Sequence, residues 1–234
     1  MNKFYKVLFL LLIIPLFTLG SYYYSAVDGG GGGEDYFFLE TWDGSTEDNS
    51  WTAYGGNSFN DDYTATILEG TQSAWMDLAG ATEYFIQNVT AFSDDSSSAV
   101  YARYKFRVTE TGSTTTGPAL FIRLLDSGKS AVVESYLYWH TGGFYRIYTS
   151  DGTASYTGFT DNTFSDATYI YQIAYGKGSG VSGSIRNSSN VEVYSKVIAT
   201  SKTDDIAFIE IRNGESVDVI IDSVEIRPDE NWGE

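Results

Sequence analysis

The chain has 234 residues and no cysteine, which excludes disulfides, thiolate metal sites and a cysteine nucleophile. A single histidine, His140, leaves almost no material for a catalytic triad or a multi-histidine zinc site. Against 14 Lys and Arg stand 31 Asp and Glu, a net charge of -17, and such a field repels nucleic acid and anionic membrane surfaces.

Residues 1–26 read as a secretion signal. Lys3 and Lys6 give the positive start, Val7 to Leu19 is an apolar run broken by Pro15, and Gly20, Ser25 and Ala26 offer cleavage after Gly20 or Ala26. Left uncleaved, the uncharged stretch to Val27 would act as a membrane anchor, the chain's one expected contact with a membrane. Residues 27–35 form a linker around Gly29 to Gly33, which have no side chains to pack.

Residues 36–227 then read as strand after strand, with 228–234 as a tail. Strands are expected at Tyr36–Trp42, Ala99–Val108, Ala119–Leu125, Val132–Trp139, Phe144–Thr149, Thr168–Tyr175, Ser182–Asn187, Val191–Val197, Ile206–Arg212 and Val217–Arg227. Turn formers separate them: SGK, HTGG, SDG, GKGSG, NSSN and RNGE. Aromatic residues, 16% of the chain, fit a pleated and half-buried surface. No segment shows a sustained helical period, so the fold class is all-β, a sandwich or barrel.

Alternation also sorts the basic residues. On Ala99–Val108, Val100, Ala102, Tyr104, Phe106 and Val108 share one face, and Tyr101, Arg103, Lys105 and Arg107 share the other. Arg123 goes with Phe121, Tyr136 with Tyr138, and Arg146 with Tyr148. If these strands share a sheet, they make a surface of guanidinium groups and tyrosine rings. Rings can stack on sugars and Arg can hold a carboxylate or sulfate through two parallel hydrogen bonds, so an acidic polysaccharide is the expected partner. The alternative is a face on which these bases pair with Glu134 and similar acids.

Several phrases resemble the concanavalin A-like lectin/glucanase superfamily, the laminin-G-like jelly rolls. They are the opening FLETWDG…SWT, LEGTQSAWMDL (Leu68–Leu78), the long strand VYARYKFRV, FYRIYTSDG with the strands after it, and the closing IIDSVEIR. In the opening, Leu39 separates Phe38 from Glu40, a departure from the family's Phe-Glu. The same start and end also resemble galactose-binding-like jelly rolls, a different fold of similar outline.

The resemblance implies an antiparallel two-sheet jelly-roll sandwich acting as a secreted or cell-surface carbohydrate-binding or adhesion module, non-catalytic. Its alternatives are a structural exported protein, or a polysaccharide lyase or glycoside hydrolase. The glucanases' E-x-D-x-x-E is absent. The nearest acids are Asp218, Asp222 and Glu225, and three residues is an odd step that would put Glu225 on the opposite face from Asp222. His140, expected in a turn beside tyrosines, is the one base a lyase could use. The resemblance also implies a structural Ca2+ between the first and last strands, at Glu40 and Asp222 with Asp43 as a third ligand.

Overall fold

Short apolar alternations bounded by turn formers produce strands throughout. In a computed structural model of the chain, the described residues are 37–43, 51–54, 59–77, 83–92, 99–111, 117–140, 143–152, 155–161, 167–214 and 217–230. All lie in one unit, Tyr36–Glu234. The expected signal and glycine linker lie outside the described residues.

The strands are β1 (Phe38–Glu40), β2 (Trp51–Tyr54), β3 (Phe59–Tyr63), β4 (Ser73–Met76), β5 (Glu83–Asn88), β6 (Ala99–Thr111), β7 (Gly117–Leu125), β8 (Ala131–His140), β9 (Gly143–Ser150), β10 (Ser155–Asp161), β11 (Tyr169–Gly176), β12 (Gly180–Asn187), β13 (Glu192–Ala199), β14 (Phe208–Gly214) and β15 (Val217–Arg227). An eight-stranded sheet runs β13-β12-β11-β6-β15-β4-β3, with β1 also paired to β15. A seven-stranded sheet runs β10-β9-β8-β7-β14-β5-β2. Among the described residues every pairing is antiparallel, the two-sheet sandwich that the resemblance implied.

The core lies between the sheets. From β6 it takes Val100, Ala102, Tyr104, Phe106 and Val108, the apolar set of the alternation. The seven-stranded sheet contributes Ile86, Leu120, Ile122, Leu124, Leu137, Ile147, Ile209 and Ile211. Gly183 permits one close approach of the sheets: a Cβ there would sit 2.1 Å from Ser135 Oγ. In the space left, Tyr171 donates its hydroxyl to Ser135 Oγ at 2.8 Å, and Ser135 donates to the Tyr148 carbonyl at 3.0 Å.

β15 is the hinge of the eight-stranded sheet. Its first half pairs with β4, through Val219 to Ile221, and its second with β1, through Val224 to Ile226. The changeover falls at a bulge between Asp222 and Glu225, where Ser223 takes a left-handed φ of 49°.

Candidate functional site

The seven-stranded sheet's outward face follows from its core set. On β7, β8, β9, β14 and β5 the residues alternating with the buried Ile and Leu are Phe121, Tyr136, Tyr148, Arg212 and Phe85. Register places them side by side: Tyr148 opposite Tyr136, Tyr136 opposite Phe121, Phe121 opposite Arg212, Arg212 opposite Phe85, and Phe85 opposite Tyr54 of β2. The side chains touch along this row. Tyr54 and Phe85 stack at 4.7 Å and 15°, and Tyr136 and Tyr148 at 4.1 Å and 23°. Phe121 lies 4.8 Å from Tyr136, and the Arg212 guanidinium sits 4.6 Å over Phe85 and 6.0 Å from Phe121. Such cross-strand aromatic and cation–π pairs each stabilise the sheet by about 0.5–1.5 kcal/mol.

Two residues along each strand, the face turns polar. A parallel row runs through Gln87, Glu210, Arg123, Glu134 and Ser150. Arg123 Nε donates to Glu134 at 2.8 Å and its Nη1 to Glu210 at 3.2 Å. Arg212 Nε donates to the same Glu210 oxygen at 2.6 Å, tying the polar row to the aromatic one. On the other flank, Tyr138 lies 5.3 Å from Tyr136 with Arg146 at 5.4 Å over its ring. Burial, with the hydroxyls of Tyr138 and Tyr148 beside it, raises the Tyr136 phenol well above its ordinary range, so it stays protonated.

Of the residues singled out in the sequence, the structure brings together Arg123, Tyr136, Tyr138, Arg146 and Tyr148. It separates Arg103, Lys105 and Arg107, because β6 belongs to the other sheet and points them away from the opposite side of the sandwich. Arg103 is 5% exposed there, paired with Glu225 at 3.0 Å, and Lys105 pairs with Glu69. The expected ring stacking on sugar is also revised, since these rings stack on one another. Tyr54, Phe85, Gln87, Glu210 and Arg212 complete the face. Alternation in IAFIEIR already puts Glu210 and Arg212 on one side, whereas β2 has only four residues and β5 runs its three apolar residues together without alternation.

The acids expected to hold calcium do not form a cage. Glu40 lies opposite Val224, on the core face of the eight-stranded sheet. Asp222 lies opposite Lys105, on the outward face. Each is already surrounded by donors, which suit an anion and repel a cation. Glu40 accepts from Trp42 N and from Trp51 Nε1, both at 3.0 Å. Asp222 accepts from Ser73 Oγ at 2.6 Å, Ser223 N at 2.8 Å and Glu69 N at 3.0 Å. Asp43 accepts from Thr71 N at 2.5 Å, Thr71 Oγ1 at 3.0 Å and Gln72 N at 3.3 Å. Among the described residues no three of His, Asp and Glu come together to hold a metal.

The bulge overturns the expectation for Glu225. Its extra residue returns Glu225 to the same outward face as Asp222, opposite Arg103. There Glu225 is held by Arg103 at 3.0 Å and Arg227 at 3.2 Å, while Asp222 is 0% exposed. On the seven-stranded sheet, Glu134 and Glu210 face each other across Arg123, which engages both. Glu134, Glu210 and Glu225 are thus each engaged by arginine, and Asp222 lies out of reach of solvent. His140 closes β8 opposite Gly143, and its side chain lies outside the described residues.

No family model matches the chain, and no curated protein matches it. Solved structures do. The metal-free exoplasmic/lumenal domain of VIP36 aligns with a TM-score of 0.56 at 14% identity, over 81% of this chain and 93% of that one. Arcelin-5, a lectin-like defence protein from Phaseolus vulgaris, aligns at 0.54 and 9% identity, over 81% and 96%. The CBM2 module of the evolved Dit of Lactobacillus casei BL23 phage J-1 aligns at 0.54 and 9%, over 82% and 94%. The chain has the concanavalin A-like jelly-roll fold.

Proposed function

We propose that the chain is an exported, non-catalytic carbohydrate-binding or adhesion module whose ligand lies on the outward face of the seven-stranded sheet. The observation that carries this reading is the cross-strand row from Tyr148 to Tyr54 beside the polar row from Gln87 to Ser150. On this face Arg123, Glu134, Tyr136, Tyr138 and Arg146 are only partly buried, so a hydroxyl, a carboxylate and guanidinium groups stand near its surface. Sugar hydroxyls, each a donor and an acceptor, match such a set. VIP36, of the same fold, has a Ca2+/Man2-bound form, which supports a glycan as the class of ligand. Arg123, Tyr136, Tyr138, Arg146 and Tyr148 keep their place in the site, and Arg103 and Lys105 leave it.

A glycan array on the secreted chain, run with a reducing-sugar assay, tests the reading. Binding without sugar release is expected, and Tyr136→Phe should weaken binding while leaving the melting temperature within a few degrees of wild type. A blank array would favour the structural exported protein, and released sugar would favour the hydrolase.

Export rests on Lys3, Lys6, the run Val7 to Leu19 and the small residues after it. Mass spectrometry of the secreted protein should find a start between Ser21 and Asp28. Intact Met1 in a membrane fraction would replace cleavage by anchoring.

A further inference from the structure

We infer that the outward face of the eight-stranded sheet is a docking surface for an acidic, extended peptide, and that its occupant is the chain's own C-terminal segment from Pro228 to Glu234. This surface lies across the core from the candidate glycan face and shares no residue with it.

The face is polar, yet its middle is covered. β11 sends Tyr169, Tyr171, Ile173 and Tyr175 into the core, and β12 sends Val181 and Ile185. Ile170, Gln172, Ser184 and Arg186 alternate with them and point outward. On a bare sheet such residues meet water. Here Ile170 and Gln172 are each 2% exposed and Ser184 is 4%.

The end of the described chain heads across this face. β15 finishes at Arg227, opposite Tyr101 of β6. Three residues on, the Glu230 carboxylate lies 3.9 Å from Arg186 Nη2 on β12. Between β15 and β12 lie β6 and β11. Tyr101, on β6, feels the segment: burial raises its phenol above the ordinary range, and the carboxylates of Glu230 and Asp229 raise it further. Beyond Glu230, Asn231 to Glu234 add a reach of up to about 14 Å.

Charge matches the occupant to the face. Five of the chain's 14 Lys and Arg point outward from this sheet: Arg103, Lys105, Arg107, Arg186 and Arg227. The segment PDENWGE has three acids and no base. Glu225 holds Arg103 and Arg227, and Glu69 holds Lys105. Arg186 is left for Glu230, its carboxylate partner among the described residues.

Two buried atoms show that the occupant is a peptide. Gln172 Oε1 and Arg186 Nε are buried without a hydrogen-bond partner. Gln172 lies opposite Ser184, two residues from Arg186, so the lone acceptor and the lone donor are diagonal neighbours. One backbone segment supplies both complements, an N–H for the glutamine oxygen and a C=O for the guanidinium.

The test uses a chain ending at Arg227, which keeps every strand, titrated with the synthetic peptide PDENWGE. One peptide should bind per chain, more weakly as salt rises. The same peptide with its three acids as amides, or Arg186→Ala in the shortened chain, should weaken binding by about tenfold. The full chain, its surface already filled, should bind the peptide at least about tenfold more weakly than the shortened one. No binding by a shortened chain that circular dichroism shows to be folded, or equal binding by both chains, would overturn the inference. Should the shortened chain not fold, the full chain decides: Arg186→Ala should speed cleavage after Glu230 by a Glu-specific protease about three- to tenfold, and an unchanged rate would sink the docking.

Discussion

Asp222 shows what burial does to a carboxylate whose hydrogen-bond partners are a hydroxyl and two backbone N–H groups. It is 0% exposed, and burial pushes its pKa up from 3.8 to about 6, with the nearby Glu69 carboxylate adding to the rise and Ser73, Ser223 N and Glu69 N opposing it. The sign of the effect on stability is set by which state holds the proton more tightly. Here it is the folded one, so Asp222's contribution is fully present below about pH 4 and is lost as pH rises through about 6. Asp222→Asn has no such ionisation. The stability of wild type relative to that variant should therefore increase as pH falls from 7 to 4, read by urea denaturation at each pH. A difference that is flat, or that grows toward neutral pH, would contradict a raised pKa. Asp43 holds its loop by a related device at the surface. It caps the backbone of Thr71 and Gln72, and Gly70 alone fits beneath it, at φ 63° and with a Cβ that would lie 1.9 Å from Asp43 Oδ2.

Elements were legible in the sequence to the degree that their residues alternate. The strand expected at Val217–Arg227 is β15 to the residue, and Ala99–Val108 is β6 with a longer end. The short strands β2, β3 and β5 and the strand β10 were not, for a physical reason: WTAY is too short to show a period, and FNDDY and SYTGFTD carry too few apolar residues to mark a buried face. They lie at or near the sheet edges, where neighbours supply the missing pairing. Half of the candidate face was legible for the same reason, since Phe121, Arg123, Tyr136, Tyr138, Arg146 and Tyr148 alternate on well-marked strands. What one chain in isolation does not carry is which strands become neighbours. That is why β6, the most regular strand of all, was grouped with β7 to β9 although it lies across the core from them. Bulges defeat alternation too, as Glu225 shows: one inserted residue reverses the face of everything beyond it.

At the scale of the whole molecule the question is what holds a sandwich that has no disulfide. Neighbours of this fold include a Ca2+-bound form of VIP36, and a metal between the first and last strands would be one answer. In this chain backbone pairing and side-chain hydrogen bonds join those strands. β1 pairs with β15 through three residues, and Glu40 links β1 to Trp51 of the opposite sheet, where Trp42 stacks on Trp51 at 5.9 Å. Asn213 Nδ2 bridges the sheets again by donating to the Met76 carbonyl at 3.1 Å. Carboxylates that elsewhere could gather around a cation are here spent on N–H and O–H donors, and they lie on opposite faces of one sheet. An ion bound at a hundred times its Kd would add about 2.7 kcal/mol to stability, or about 5–10 °C in melting temperature for a chain of this size. Thermal melts of the secreted chain in excess calcium and in EDTA should therefore coincide to within about a degree, well inside that shift. A fall of several degrees in EDTA, restored by adding calcium back, would overturn this, and a calcium-dependent shift lost on alanine substitution at Glu40, Asp43 or Asp222 would place the ion at those acids.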